Sequence, residues 1–405
     1  MVAQHLIERG HKVIVITHAY GERCGVRYLP SALKVYYLPY QVIARQDSLP
    51  NYFALLPLLR TVFLRERIEL VHAHQALSTM GHEAIFHARL LGIKTVFTDH
   101  SLFGFADTSS ILTNKLLKFA LCDVDHVVCV SHTGRENTVL RAALRAEDVS
   151  TIPNAVVARQ FLPDPEAAPK GHICVVVLSR LMYRKGIDLL IAAIPPLCAK
   201  YPTLRFVIGG DGPKYVELEQ MRELHMLHER VSLVGAVRQR DVRRHLTQGH
   251  IFLNTSLTEA FGTSIIEATC AGLYVVSTRV GGIPEVLPPS MARLAAPNAA
   301  AIVAAVEEAI EHIESGRHDP VAQHRAVARM YSWGETARRL EVVYQRVMTM
   351  PPRPASERFA RYAAGGGPVA GIIVCIIVAV QMVFGMLLDV VIPRESITVA
   401  PSLLD

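Results

Sequence analysis

The sequence lacks the cysteine pairs that a disulfide framework or a structural zinc site would need. Its seven cysteines are odd in number and scattered, and none belongs to a C-x-x-C pair. Most lie in apolar runs, so we interpret them as small buried residues in a reducing compartment. They are Cys24, Cys122, Cys129, Cys174, Cys198, Cys270 and Cys375.

A strong charge of either sign is also missing. The formal net charge is +6 over 405 residues and the pI is about 8.9, so we predict no nucleic acid among the partners. At this length a single hydrophobic core stops growing, and two domains are expected.

Long apolar runs are scarce, but one is present. Val369–Leu388 has Gln381 as its only strongly polar member, and its length matches a bilayer core of about 30 Å. We predict a transmembrane helix over residues 368–392. The arginines that precede it put residues 1–365 in the cytosol and a lumenal tail, 393–405, on the far side; they are Arg353, Arg358 and Arg361. We see no secretory signal peptide, since the first apolar stretch is short and follows polar residues.

Short β-branched runs alternate with helical patterns, which is typical of βαβ units with parallel sheets. We predict an α/β fold with two doubly wound, Rossmann-like domains that face a cleft, at 1–160 and 172–335. A Pro-rich linker at 161–171 separates them, and a helix and linker at 336–367 follow. The predicted strands are Lys12–His18, Leu33–Leu38, Leu70–His74, Lys94–Thr98, His126–Ser131, Val149–Ile152, Ile173–Ser179, Arg205–Gly209, Val231–Val234, Ile251–Thr255 and Tyr274–Thr278.

The segment EAFGTSIIE carries two carboxylates, Glu259 and Glu267, between a predicted strand and a helix. The backbone N–H groups at Phe261, Gly262 and Thr263 would lie at a helix N-terminus, which suits a phosphate or a sugar hydroxyl. A pair of solvated acids at a helix start is the alternative, and the motif alone does not decide between the two.

Three further motifs follow strands of the same predicted domain. SRLMYRKG supplies Arg180 and Lys185, two cations that can neutralise a diphosphate without a metal. GGDGP, with Gly210 and Gly212, and VGGIPE form tight turns that a nucleotide can approach closely. Because all of these motifs lie at strand carboxyl ends, we predict one nucleotide-binding site.

Three other patterns are set aside. Asp123-Val-Asp125 resembles a metal-binding D-x-D but precedes its strand, and His72, His74, His82 and His87 lack zinc-ligand spacing. We therefore predict no metal site. The basic helix Leu58–Arg67 fits either a solvated face or lipid headgroups, and the solvated face is favoured.

The motifs above, in this order, resemble those of retaining glycosyltransferases of the GT-B fold, in glycosyltransferase family 4. Longer segments are similar to the catalytic subunits of phosphatidylinositol N-acetylglucosaminyltransferases, which begin glycosylphosphatidylinositol (GPI) anchor synthesis. These segments are TDHSLFGFAD (Thr98–Asp107), SSILTNKLL, NTVLRAAL, SRLMYRKGIDLL, GHIFLNTSLTEAFG and STRVGGIPEVLP.

This resemblance implies roles for particular residues. Glu267 would hold the uridine ribose, Arg180 and Lys185 the UDP diphosphate, and Glu259 the donor sugar. His100 would approach the donor sugar near the reacting carbon. Both front-face attack and a covalent intermediate stay open for the retaining mechanism.

The implied reaction is GlcNAc transfer from UDP-GlcNAc to phosphatidylinositol, without a cofactor, by a hexosyltransferase. The resemblance also implies a multi-subunit complex in the endoplasmic reticulum membrane. Family members begin with a strand and a glycine-rich loop that we do not find before the helix Met1–Gly10. We therefore also consider a weak or inactive isoform that docks in the complex. A membrane mannosyltransferase of the same fold is a further alternative.

Overall fold

The computed structural model describes residues 1–40, 42–44, 47–48, 50–104 and 108–401. The last three residues of the motif Thr98–Asp107 and the last four of the predicted tail lie outside that range.

The strands are β1 (Ile14–His18), β2 (Gly25–Leu29), β3 (Leu33–Leu38), β4 (Val42–Ala44), β5 (Asp47–Ser48), β6 (Leu70–His74), β7 (Lys94–Asp99), β8 (His126–Cys129), β9 (Val149–Thr151), β10 (Cys174–Leu178), β11 (Arg205–Gly209), β12 (Val231–Gly235), β13 (Ile251–Asn254), β14 (Tyr274–Thr278) and β15 (Ala292–Ala295). The helices are α1 (Val2–Glu8), α2 (Tyr52–Arg65), α3 (Thr79–Leu90), α4 (Thr108–Leu121), α5 (His132–Ala142), α6 (Ile187–Lys200), α7 (Tyr215–Leu224), α8 (Val242–Leu246), α9 (Thr263–Cys270), α10 (Ala299–Glu314), α11 (Pro320–Met330), α12 (Trp333–Thr349) and α13 (Ala355–Val391).

These elements form two compact units. The first contains Met1–Ile152 and Gly334–Asp405, and the second contains Pro153–Trp333. The boundaries differ from those predicted, because residues 161–171 belong to the second unit, where Phe161 is buried and Arg243 donates to the carbonyl of Leu162 at 2.8 Å.

The second unit has a parallel sheet with the order β12-β11-β10-β13-β14-β15. The order reverses between β10 and β13, which is the point where open α/β sheets bind ligands. Val175, Val176 and Val177 of β10 are almost completely buried, as expected for a central parallel strand. All the strands predicted for this unit are confirmed, and β15 is an addition.

The first unit has a parallel sheet with the order β6-β7-β8-β9 and a mixed sheet with the order β1-β3-β2. Its predicted strands are confirmed. The strand β2 was not predicted; it is exposed and pairs antiparallel with β3. Since Gly25–Leu29 has no buried face, it shows no alternation of apolar and polar residues.

A buried carboxylate links α2 to the β1–β3 sheet. Glu66, which follows α2, forms ion pairs with Lys12 at 2.9 Å and with Lys34, and it accepts a hydrogen bond from Tyr36. Burial raises the pKa of Glu66, but the hydrogen bonds from Lys34, Tyr36 and Lys12 outweigh it and lower that pKa to about 2.

This pKa predicts an acid-sensitive contribution to stability. The ordinary pKa is 4.5, so the Glu66 contribution is complete above that pH and is lost as the pH falls towards 2. We expect Glu66→Gln to lower the free energy of unfolding at pH 7 and to flatten its dependence on pH in this window. Urea unfolding of the detergent-solubilised chain measures both. Glu166→Gln removes an exposed pair and is the control; equal pH profiles for wild type and Glu66→Gln would contradict the assignment.

The helix α13 contains the apolar segment. Its residues Val369–Val391, with a mean hydropathy of 2.7, are long and apolar enough to cross a membrane. Gly367 has a non-helical backbone and divides α13 into two arms. One side of the second arm is buried in the first unit at Val378 and Gln381, whereas Ile372, Ile376 and other apolar side chains are exposed.

The far end of this segment contacts α2. Arg60, which is buried, donates to Asp389 at 2.6 Å and to the carbonyl of Ile392 at 2.8 Å. The N–H of Ala400 donates to the carbonyl of Arg65 at 2.8 Å. The prediction of a tail on the far side of a membrane does not include such contacts with the first unit. The prediction of a solvated face over Leu58–Arg67 does not hold at Arg60, whose guanidinium is buried and paired with a carboxylate.

Candidate donor site and histidine cluster

The motifs predicted to bind a nucleotide in the second unit surround the switch point of its sheet. Arg180 and Lys185 follow β10, Gly210 and Gly212 follow β11, and the Glu259 loop follows β13. Since β10 is paired with both β11 and β13, these loops are neighbours at one edge.

The loop after β10 lies directly on the loop after β13. Gly186 has φ +66°, and a Cβ there would lie 1.7 Å from the carbonyl oxygen of Thr255. The Thr255 hydroxyl donates to the carbonyl of Lys185 at 3.0 Å, and the N–H of Leu257 donates to that of Arg184 at 3.0 Å. This close approach requires glycine and fixes Lys185 beside the Glu259 loop.

Lys185 and Glu259 form an ion pair, with Nζ and Oε2 2.5 Å apart. Both side chains are about one-fifth exposed, at 22% and 20%. By contrast, the Arg180 side chain is exposed and makes no hydrogen bond or ion pair with any residue that the structure describes. One of the two predicted diphosphate cations is therefore free and the other is held by a carboxylate.

The glycines after β11 allow a close backbone approach. Gly210 has φ +143° and Gly212 has φ +153°, and a Cβ at Gly210 would lie 1.8 Å from the carbonyl oxygen of Ser179. The N–H of Leu181 donates to the carbonyl of Asp211 at 2.9 Å, which ties this turn to the loop that carries Arg180.

The EAFGTSIIE segment ends in α9, as predicted. Gly262, at φ +88°, is the N-cap, and the exposed Thr263 begins the helix. The Phe261 side chain is buried against Tyr331, so its contribution to a site would come from its backbone. Glu267 has a different environment from Glu259: it accepts from Gln239 at 3.5 Å, and burial raises its pKa.

In the first unit, His100 follows β7 on a rigid turn. The buried Asp99 carboxylate accepts hydrogen bonds from the N–H of Ser101 at 2.9 Å and from the Thr138 hydroxyl at 2.9 Å. Arg141, also buried, faces Asp99 at 3.5 Å. These contacts hold the backbone on both sides of His100.

His74 contacts His100, and this contact was not predicted from the sequence. His74 Nδ1 lies 3.1 Å from His100 Nε2, and the two rings are nearly parallel. The signal was present, because His72-Ala-His74 ends β6 and His100 follows the neighbouring strand β7. His82 and His87, in contrast, are buried in α3.

Asp123 and Asp125 are bound by arginines. Arg89 pairs with Asp125 at 2.7 Å, Arg358 pairs with Asp123 at 2.7 Å, and Arg353 reaches both carboxylates. Within the described ranges, no group of three or more His, Cys, Asp or Glu side chains is arranged to hold a metal ion.

Known proteins share both halves of this chain. A family model described as PIGA (GPI anchor biosynthesis) matches residues 18–107, and one for glycosyl transferases group 1 matches residues 158–325. Among solved structures, sucrose-phosphate synthase from Thermosynechococcus elongatus superposes with a TM-score of 0.69 at 20% identity, over 85% of this chain and 91% of that one. At that identity the likeness concerns the fold, a two-domain glycosyltransferase of the GT-B type.

Curated relatives match almost the whole chain. A human protein named as a phosphatidylinositol N-acetylglucosaminyltransferase subunit is 52% identical over 98% of this chain and 82% of its own length. The gpi3 subunit of the same transferase from Schizosaccharomyces pombe is 50% identical over 98% and 87%. The chain belongs to this PIGA/GPI3 family of phosphatidylinositol N-acetylglucosaminyltransferase subunits.

Proposed function

We propose that this chain is the hexosyltransferase subunit that moves GlcNAc from UDP-GlcNAc to phosphatidylinositol, the first step of GPI-anchor synthesis. The observation that carries the proposal is the pair Lys185–Glu259 beside a free Arg180 at the switch point of the second sheet. This arrangement joins two cations for a diphosphate with a carboxylate for a sugar. The near full-length relatives support the choice of donor and acceptor.

The Lys185–Glu259 pair suggests how the donor binds. A diphosphate beside Arg180 would compete with Glu259 for the Lys185 ammonium. Once released, the Glu259 carboxylate can accept hydrogen bonds from hydroxyls of the donor sugar. Donor binding would then place positive charge at the leaving group and a hydrogen-bond acceptor at the sugar in a single exchange.

The remaining donor contacts follow from the same loops. Glu267 would accept the ribose hydroxyls, and the N-terminus of α9 together with the turn at Gly210–Gly212 would offer backbone N–H groups. In the first unit, His100 would contact the donor sugar. Arg180 and Lys185 would stabilise the charge on the departing UDP. With these two cations in place, we propose that the reaction proceeds without a cofactor.

We further propose that the chain works at the endoplasmic reticulum membrane, with its catalytic units on the cytosolic face and with other subunits of the transferase. The apolar segment Val369–Val391 supports membrane attachment. The names of the relatives, which are subunits, support a complex.

Transfer of labelled GlcNAc from UDP-GlcNAc to phosphatidylinositol tests the function. Membranes of cells that lack their own transferase and express the full chain are expected to form the product, and GDP-mannose should not compete. Glu267→Gln should raise the KM for UDP-GlcNAc, whereas Glu308→Gln, at an exposed acid on α10, should not change it. Product from GDP-mannose in place of UDP-GlcNAc, or no product in cells that supply the partner subunits, would overturn the proposal.

A further inference from the structure

The ring of His74 is built into a stack of histidines at the ends of β6 and β7. The His72 and His74 rings stack with centroids 4.3 Å apart, and the His74 and His100 centroids are 5.5 Å apart. His72 is fixed at both nitrogens: Nδ1 lies 2.7 Å from the Tyr344 hydroxyl and Nε2 lies 2.7 Å from the Thr98 hydroxyl. His74 therefore rests on a side chain that cannot rotate without losing two hydrogen bonds.

The contact between His74 and His100 restricts both protons. A hydrogen bond between two imidazole nitrogens needs one N–H and one bare nitrogen. If His74 Nδ1 donates, His100 Nε2 accepts and His100 Nδ1 carries the remaining proton. If His100 donates, the roles of all four nitrogens are exchanged. In either case the tautomer of His100 is coupled to that of His74, so the state of His100 Nδ1 depends on the contact.

We propose that His74 is a positioning residue for His100, holding its ring and its tautomer through the Nδ1–Nε2 contact. The inference rests on the proposed function, because His100 is assigned there to the donor sugar. His74 itself is exposed and contributes little to the core, so a purely structural role does not account for its contact with His100.

Charges around the pair agree with a neutral hydrogen-bonded unit. Burial lowers the pKa of His100, although the Asp99 carboxylate raises it. The other titratable groups packed here are His72, whose pKa is also lowered by burial, and Tyr344 on α12, whose pKa burial raises. Two neutral rings at pH 7 can share one hydrogen bond, whereas two imidazolium rings cannot.

Three substitutions of His74 distinguish a hydrogen bond to His100 from the mere volume of the His74 side chain. An asparagine amide can occupy the place of Nδ1, a glutamine amide reaches the place of Nε2, and alanine reaches neither. We expect His74→Gln and His74→Ala to lower kcat for GlcNAc transfer by about 10- to 100-fold with little change in the KM for UDP-GlcNAc. His74→Asn should keep most of the rate that His74→Gln loses. His228→Ala, at an exposed histidine of the second unit, is the control.

A measurement without turnover tests the contact directly. Diethyl pyrocarbonate acylates bare imidazole nitrogens, and the tryptic peptide 95–115 contains His100 as its only histidine. With the full chain in detergent, mass spectrometry of this peptide should show the same labelling rate of His100 in wild type and His74→Asn, and a changed rate in His74→Gln and His74→Ala, where the contact at Nε2 is lost.

The transfer assay and the labelling of His100 test the proposed function and the positioning role separately. Labelling that follows this pattern in a chain without transfer activity would reject the proposed function and keep the positioning role. Equal labelling of His100 in all four chains would reject the positioning role even where transfer is normal. Equal kcat for the asparagine and glutamine variants would also reject it.

Discussion

Lys185→Ala is expected to lower kcat for GlcNAc transfer by about 10²- to 10³-fold, the usual loss when one charge-stabilising group is removed from a site. Lys185 is in the same loop after β10 as the exposed Arg180, and its Nζ is 2.5 Å from the carboxylate of Glu259. Without it, the charge that develops on UDP loses one of two cations. Glu259 also loses its partner while remaining about four-fifths covered, which opposes the approach of a diphosphate.

Steady-state transfer assays on membranes measure this loss of kcat. Two further variants serve for comparison, one as a control and one that conserves the charge. Lys200→Ala removes a lysine of the same unit that is paired with Glu307 and 57% exposed, so its kcat should equal that of wild type. Lys185→Arg keeps the charge and should retain more activity than Lys185→Ala, although its larger fork cannot repeat the same contact with Glu259. If Lys185→Ala and Lys200→Ala were equally active, the diphosphate role of Lys185 would be wrong.

Periodicity and turn chemistry were enough to predict the strands that carry the candidate donor site. The run Cys174–Leu178 is apolar throughout because both faces of a central parallel strand are covered. The glycines that follow β11 mark a turn that other residues cannot adopt, since φ is positive at both Gly210 and Gly212. Such signals are local, and they can be recognised without knowledge of the partner strands.

The contacts that the sequence did not predict join residues far apart in the chain. Lys185 and Glu259 are 74 residues apart, and Arg353 and Asp123 are 230 apart. Each of these residues has an ordinary local interpretation: a basic loop for Lys185, a helix-start acid for Glu259, a flank of an apolar segment for Arg353 and a D-x-D pattern for Asp123. Their pairing depends on which loops the sheet order brings together, which no spacing along the chain reveals.

The arginines before the apolar helix illustrate this limit. We interpreted them as the cytosolic flank of a membrane span, and in the structure they also attach that flank to the first unit. Arg353 donates to the backbone carbonyls of Asp123 and Val124, at 2.8 and 3.1 Å, and Arg361 donates to that of Cys122 at 3.4 Å. The start of α13 is therefore fixed to the segment that precedes β8.

Asp123→Ala is expected to destabilise the first unit by about 3 kcal/mol, near the lower end of the cost of breaking a buried ion pair. The Asp123 side chain is 2% exposed, and its carboxylate meets Arg358 at 2.7 Å and Arg353 at 3.2 Å. The loss stays near the lower end because Asp125 remains beside Arg89 and Arg353. Urea unfolding of the detergent-solubilised chain measures the change.

Limited proteolysis shows where in the chain the loss of the Asp123 ion pairs acts. Arg358 is only 11% exposed while it is paired, so trypsin should cut after it slowly in wild type and much faster in Asp123→Ala. Arg353 precedes a proline and is not a trypsin site, and Arg361 pairs with Glu357, so the Arg358–Phe359 bond, identified by the mass of the fragment, is the reporter. Asp241→Ala removes an exposed carboxylate of the second unit and should change neither measurement. Unchanged cutting after Arg358 in Asp123→Ala would show that the start of α13 is held by its apolar contacts with α4 instead of by these ion pairs.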